Sequence, residues 1–330
     1  MRIVNVLTAL LASIVPPGPP WSSEAALSQI PLVLDNNTTL STFATQTDAG
    51  WYLNRISQRG AIIDWPANPA PDKQQEKLDF TWDYDPNWGR GILVYVLDSG
   101  IQPTHSDLDG RVDPKGMVVT RLKGGPKGDP FVDEEDHGTG VASLIAGRQF
   151  GVAKAATLIS VKVGAGEGEK DFTLEDITKG IELATADFVE RKAKDRELRA
   201  VMNISWIIRH DPARKGEIAI EKAIAQGIHV VYAAGNEGSD KCVDLVAPAT
   251  SIACASSKGP FEKRFGPGTS YAAPLVAGTV AAILSTDGKD LTPAQMKARI
   301  LNEFTIPGVT YIPPGSPDRM LVITNLPRRD

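Results

Sequence analysis

Three side chains in this 330-residue sequence are of the types needed to cleave an acyl bond. Ser270, in Gly268-Thr269-Ser270, is a candidate nucleophile. A serine hydroxyl attacks a carbonyl carbon only when a neighbouring base takes its proton and a carboxylate orients that base. His137 and Asp98 are the candidates for these two roles, so the groups occur along the chain in the order Asp, His, Ser.

Each candidate lies at one end of a predicted element. The apolar run 93–97 predicts a buried strand that ends at Asp98. His137 and Ser270 each precede a stretch of small residues that predicts a buried helix. Because ligands and catalytic groups collect at the carboxyl edge of a parallel sheet, we expect the three side chains to meet there.

Five motifs follow one another along the chain. They are Val96-Leu97-Asp98-Ser99-Gly100-Ile101, Asp136-His137-Gly138-Thr139-Gly140, Gly151-Val152-Ala153-Lys154, Ala233-Ala234-Gly235-Asn236 and Gly268-Thr269-Ser270. With these motifs in this order, the chain resembles the subtilase serine peptidases, in particular the proteinase K-like group, over about residues 44 to 326. This resemblance implies a three-layer α/β/α fold with a mostly parallel central sheet, and a catalytic triad of Asp98, His137 and Ser270.

The family's activity is hydrolysis of polypeptides through an acyl-enzyme intermediate, with no organic cofactor. Asn236, after the predicted strand 228–234, is the candidate side-chain donor to the oxyanion, with the backbone N–H of Ser270 as the second donor. In subtilisin, loss of one such donor costs about 3 kcal/mol. An asparagine that only holds a turn is the alternative interpretation of Asn236.

The predicted substrate strand departs from the family pattern. The resemblance assigns substrate binding to Ser205, Trp206, Ile207, Ala234 and Gly235. In the family two glycines follow, which let the substrate backbone approach closely; here Ile207 and Ile208 stand in their places. If the chain is active, the sequence predicts a preference for a small residue before the cleaved bond. The alternative is a catalytically impaired subtilase fold that acts as a binding or decoy protein.

The segment before Ser270 is shortened. Proteinase K-like enzymes have about thirty more residues between the equivalents of Cys254 and Ser270, including an aspartate that binds calcium. That aspartate has no counterpart here, so no metal site is assigned, although structural calcium elsewhere stays open.

The amino-terminal residues allow two interpretations. A basic start and the short apolar run 3–15 favour a secretory signal peptide over residues 1–22, and hence a secreted protein. The alternative is a buried amino-terminal strand. Under the first interpretation, residues 23–43 are a short propeptide remnant and residues 44–330 form the catalytic domain.

Composition limits the partners. The net charge is −5 and the charges are interspersed, so there is no basic stripe that would favour nucleic acid. No later apolar run is long enough to span a bilayer, and we expect a monomer without membrane contact. Cys242 and Cys254 are the only cysteines, and the sequence leaves a disulfide between them open. His105 is expected to be structural.

Overall fold

The computed structural model describes residues 7–12, 43–59, 78–119, 129–164, 172–206, 213–236, 243–309 and 316–324. The strands are β1 (Leu7–Ala12), β2 (Ala44–Ala49), β3 (Phe80–Tyr84), β4 (Ile92–Asp98), β5 (Met117–Val118), β6 (Thr157–Lys162), β7 (Arg199–Ile204), β8 (His229–Ala233), β9 (Leu245–Pro248), β10 (Ile252–Ala255), β11 (Lys263–Gly266), β12 (Thr305–Ile306) and β13 (Met320–Leu321). The helices are α1 (Trp51–Ile56), α2 (Gly138–Ala146), α3 (Leu174–Lys194), α4 (Lys215–Ala225), α5 (Thr269–Leu284) and α6 (Pro293–Glu303).

A nine-stranded sheet forms the centre, in the order β12-β13-β9-β1-β8-β7-β4-β6-β5. Every pairing in it is parallel except that of β12 with β13. Helices α1, α2, α5 and α6 pack on one face, and α3 and α4 pack on the other. The expected three-layer α/β/α fold is therefore confirmed.

Strand β4 shows why the sheet is covered on both faces. All seven of its residues are buried. Val94 and Val96 join the core on the α2 and α5 side, whereas Leu93, Tyr95 and Leu97 join the core under α3 and α4. A strand buried on both faces is apolar without alternation, which is the pattern that predicted it from the sequence.

Helices α3 and α6 begin where the sequence supplies capping groups. Thr173 accepts a hydrogen bond from the Asp176 N–H at the start of α3. Thr292 and Gln295 form a capping box at the start of α6, with Pro293 as its first residue. These side chains satisfy N–H groups that have no partner within the helix, which fixes the starting residue.

The carboxyl edge of the sheet gathers the predicted site residues. Asp98 ends β4, Ser205 follows β7, and Ala234-Gly235-Asn236 follows β8. Helix α2 begins directly after His137 and helix α5 has Ser270 as its second residue. The two helices pack against each other, so His137 and Ser270 lie on neighbouring elements.

A short antiparallel hairpin of β10 and β11 occupies the shortened segment before Ser270. Its connecting loop is tied to the segment before α2, because the Ser257 N–H donates to the Asp136 carboxylate at 2.6 Å. Strand β11 then leads into Gly268 and α5 with only Pro267 between. The segment is short because one hairpin connects the core directly to the helix that carries Ser270.

The structure places the amino-terminal strand β1 inside the sheet. Leu7–Ala9 pairs with residues 231–233 of β8, and Ala9–Ala12 pairs with Leu245–Pro248 of β9. This arrangement corresponds to the buried amino-terminal strand, the alternative to a signal peptide. Residues 23–42, which cover most of the predicted propeptide remnant, lie outside the described residues.

Removal of residues 1–22 should destabilise the fold. Strands β8 and β9 would lose the strand between them, and a backbone hydrogen bond contributes about 1 kcal/mol. We expect the free energy of unfolding to fall by ~3 kcal/mol or more in chemical denaturation. A chain lacking only residues 1–6, which keeps β1, is the control. Equal unfolding midpoints for both shortened chains would contradict the placement of β1.

Candidate active site

The buried Asp98 carboxylate orients His137. Asp98 Oδ1 lies 2.8 Å from His137 Nδ1 and also accepts the Ser99 N–H at 2.8 Å. The Asp98 side chain is fully buried, and the His137 side chain is 18% exposed. Burial lowers the pKa of His137, but the charge and hydrogen bond of Asp98 and the charge of Asp133 outweigh it, so this pKa is raised above 6.5. An imidazole held through Nδ1 keeps Nε2 for proton transfer.

Close contact between two turns sets the position of His137. His137 is the N-cap residue of α2. The Gly138 N–H donates to Ser99 Oγ at 3.0 Å, and a Cβ on Gly138 would overlap the Gly100 carbonyl oxygen. A glycine is therefore required where the start of α2 meets the turn after β4.

Ser270 and Asn236 lie beside each other on a separate pair of elements. Asn236 Oδ1 accepts the Thr269 N–H at 3.0 Å, which orients the amide group. Thr269 Oγ1 also accepts the Gly235 N–H at 3.2 Å. Gly268, at φ +129°, lies close to both side chains, because a Cβ there would be 3.3 Å from Ser270 Oγ and 3.6 Å from Asn236 Nδ2. The amide and the hydroxyl thus both lie near the position that a side chain would occupy at residue 268.

The site has two halves, one formed by Asp98 and His137 and the other by Ser270 and Asn236. Among the described residues no hydrogen bond joins Ser270 Oγ to His137; the hydrogen bond of the imidazole is to Asp98. Two aromatic rings flank the imidazole instead, those of Trp206 and Tyr271, each with its centroid 5.6 Å away. Catalytic hydrogen bonds in ligand-free sites are often long and tighten only when substrate binds.

The comparisons with known proteins decide the family. The family model described as "Subtilase family" matches residues 89–252 and 239–319. The chain belongs to the subtilase family. It is 30% identical over 318 residues to a subtilisin-like protease of Coccidioides posadasii, an alignment that covers 87% of this chain and 71% of that protein. It is 31% identical over 320 residues to subtilisin-like protease 2 of Trichophyton equinum, with 87% and 69% covered.

A solved structure agrees with this family. A cold adapted subtilisin-like serine proteinase superposes on the subtilase chain with a TM-score of 0.63 and 25% identity, covering 83% of this chain and 98% of that one. Family and fold together support a serine peptidase function for the chain.

The structure describes four of the five predicted substrate residues of this subtilase. Ser205 and Ala234 are buried, and Ser205 Oγ accepts a hydrogen bond from Asn203 Nδ2 at 2.8 Å. Trp206 lies against His137 and stacks on Phe172 with 3.7 Å between ring centroids. Gly235 has φ +92° at the end of β8. Ile207 and Ile208, on which the predicted size preference rests, lie outside the described residues.

The remaining candidates are structural or untested. His105 is buried, accepts the Asp107 N–H on Nδ1 and lies 2.8 Å from the Glu262 carbonyl oxygen through Nε2, so both ring nitrogens are engaged. Cys254 has a free, buried thiol whose pKa burial raises to about 12. Cys242 lies outside the described residues, so the disulfide stays untested. Within the described ranges no cluster of His, Cys, Asp and Glu could hold a metal ion, and no helix has the length and apolar character to cross a bilayer.

Sequence reasoning missed several residues around His137. Asp133 accepts the His137 N–H at 3.4 Å and the Thr139 N–H at 2.7 Å. It lies four residues before the N-cap residue of α2, outside the position at which a capping side chain is expected, so the sequence carries no signal for it. The contacts of Tyr271 and of the Trp206–Phe172 pair with the site have no sequence signal either, because they depend on how separate elements pack.

Substitution of Gly138 tests the contact between α2 and the turn after β4. In Gly138→Ala the added methyl group collides with the Gly100 carbonyl, and overpacking of this kind lowers the free energy of unfolding by about 2 kcal/mol. Gly110→Ala adds the same group in open space at φ +70° and should cost about 1 kcal/mol. Chemical denaturation of both variants measures the difference. A Gly138→Ala variant as stable as the parent chain would contradict the contact.

Proposed function

We propose that the chain is a secreted serine endopeptidase that hydrolyses peptide bonds through Asp98, His137 and Ser270. The observation that carries the proposal is the 2.8 Å contact of a fully buried carboxylate with His137 Nδ1, at the sheet edge where Ser270 begins a buried helix. Asn236 supports it, because its amide and the Ser270 hydroxyl both lie close to Gly268.

The mechanism assigns one role to each group. His137 takes the proton of Ser270 as Oγ attacks the carbonyl carbon of a peptide, and Asp98 stabilises the imidazolium that forms. Asn236 Nδ2 and the Ser270 N–H donate to the oxyanion of the tetrahedral intermediate. His137 then passes the proton to the leaving amine. Water then attacks the carbonyl carbon of the acyl-enzyme while His137 takes its proton. The bond from the acyl group to Ser270 Oγ breaks, and His137 returns the proton to Oγ.

Helix α5 also stabilises the negative charge of the oxyanion. The positive end of its dipole lies at Thr269 and Ser270, next to the space in which the oxyanion forms. The helix is buried along almost its whole length, so the dipole acts with little screening by solvent. The helix dipole thus adds to the two hydrogen-bond donors in stabilising the negative charge.

The second candidate function is a catalytically impaired subtilase fold that binds polypeptides without cleaving them. The observation that favours it is that, among the described residues, no hydrogen bond joins His137 to Ser270. A serine without its base is a poor nucleophile. The retained Asp98–His137 contact and the placement of Asn236 favour the enzyme, because a binding protein has no chemical need for either.

The proposal of secretion must account for β1, which lies within the predicted signal peptide and pairs with β8 and β9. Export with cleavage after residue 22 would remove Leu7–Ala12 from between β8 and β9. The intact mass of the exported chain decides between a cleaved signal peptide and a retained strand.

A fluorophosphonate probe tests the triad without a substrate that must fit the groove. We expect labelling of the purified chain at Ser270 alone, located by mass spectrometry of the adduct, and none in Ser270→Ala. Asn236→Ala should slow labelling by about 10²-fold or more, because it removes one oxyanion donor. The absence of labelling in a chain that unfolds cooperatively would reject the enzyme in favour of the binding protein.

The rate of labelling should fall in acid. His137 acts as a base only when neutral, and its pKa is raised above 6.5 by Asp98 and Asp133 against the opposing effect of burial. The rate is therefore expected to be at its plateau at high pH and to fall as the pH drops through a midpoint above 6.5. Stopped-time labelling from pH 5 to pH 9 measures this midpoint. A midpoint at or below 6.5 would contradict the assigned role of Asp98.

A further inference from the structure

A second buried carboxylate lies one hydroxyl group away from Asp98. Ser99 Oγ lies 2.6 Å from Asp133 Oδ1 and 3.3 Å from Asp98 Oδ1. Asp133 is 6% exposed and Asp98 is fully buried. The pair occurs 35 positions apart in sequence, on the turn after β4 and in the loop before α2, and Ser99 connects them.

The proton of Ser99 has one destination in this arrangement. Ser99 Oγ accepts the Gly138 N–H at 3.0 Å, and its hydroxyl group has one hydrogen to donate. The shorter distance assigns that hydrogen to Asp133. Asp98 Oδ1 is left with the Ser99 N–H and His137 Nδ1 as its close partners. The charge of Asp98 is therefore directed at the imidazole.

Asp133 is fixed from several sides. Its Oδ2 accepts the Thr139 N–H at 2.7 Å and its Oδ1 lies 3.4 Å from the His137 N–H, so it caps the start of α2. The buried ammonium group of Lys162 donates to the Ser99 and Val132 carbonyl oxygens at 2.7 and 2.5 Å. Lys162 thereby holds the loop that carries Asp133 against the turn that carries Ser99.

We infer that Asp133 is a positioning residue for the proposed peptidase reaction: through Ser99 and the first backbone amides of α2 it aligns His137 with Asp98 and sets the protonation equilibrium of the imidazole. This inference deepens the proposed function and rests on it for its catalytic consequence. Asp133 does not contact the reacting atoms and acts only through His137 and Asp98.

The charges around the imidazole support this role. Asp98 from β4 and Asp133 from the loop before α2 favour the imidazolium, whereas Arg264 from β11 opposes it. Arg264 is held by the Asp136 carbonyl and carboxylate, next to His137. Lys162 is paired with Glu134, and the rings of Trp206 and Tyr271 complete the surroundings without charge. Asp133 is thus the second carboxylate that raises the pKa of His137.

Asp133→Asn tests the inference with almost no change of shape. The amide oxygen of this variant keeps the Thr139 N–H, so its NH₂ group faces Ser99 Oγ and the Ser99 hydrogen turns to Asp98. Loss of one charge and the new hydrogen bond on Asp98 both weaken the pull on His137. We expect the midpoint of His137 titration to move down by about one pH unit. At pH 5.5 the labelling rate relative to its plateau then rises about tenfold.

Two readouts separate this inference from the proposed function. NMR titration of the His137 ring, assigned with His137→Gln, reports the midpoint whether or not the chain is active. Labelling of Ser270 by the fluorophosphonate reports catalysis. If the parent chain is not labelled, the proposed function fails, and the NMR midpoints of the parent chain and Asp133→Asn still test the role of Asp133 in protonation.

The controls separate a positioning role from a structural one. Asp109→Asn removes an exposed carboxylate and should leave the midpoint unchanged. Ser99→Ala keeps both charges but removes the link, so we expect a slower plateau rate with a midpoint near that of the parent chain. An Asp133→Asn variant that is slower at every pH with an unmoved midpoint would overturn the inference. If that variant does not fold, a Ser99→Ala plateau rate equal to that of the parent chain would overturn it.

Discussion

The close contact between the start of α2 and the turn after β4 is the constraint on which the site depends. Asp98 has little freedom, because it ends a strand buried on both faces. His137 reaches it only because Gly138 leaves room for the Gly100 carbonyl. One missing side chain thus allows two buried backbones to meet, and the carboxylate and imidazole align without a flexible segment between them and the core. Catalytic groups on such rigid supports keep their geometry before substrate arrives.

The nucleophile is organised by a different set of contacts. Ser270 depends on α5, on Gly268 and on the amide of Asn236, which Thr269 orients from the neighbouring helix. The Asp–His half and the Ser–Asn half meet through the packing of α5 on α2 and on β4, and through the rings around the imidazole. Because of this division, each half can keep its own hydrogen bonds although none joins His137 to Ser270 in the described part of the chain. Substrate would lie across both halves.

The sequence predicted those features that local patterns determine. The apolar run before Asp98, the small residues after His137 and Ser270, and the cap at Thr292 each correspond to an element at its expected place. The link from Ser99 to Asp133 could not be predicted, because two polar residues 34 positions apart leave no periodic pattern. The place of β1 was equally open, since a short and mostly apolar stretch suits a signal peptide and a buried strand alike.

The β10–β11 hairpin is connected to one half of the site by a hydrogen bond and to the other half through the chain. Its loop is bonded to Asp136, directly before the histidine, and its second strand leads to Gly268, two residues before the serine. Most surface loops accept insertions during evolution because their ends stay in place when they lengthen. This loop differs in that it also holds the segment before His137, through the hydrogen bond of Ser257 to Asp136. A substitution within the loop therefore acts on the segments that carry His137 and Ser270 together.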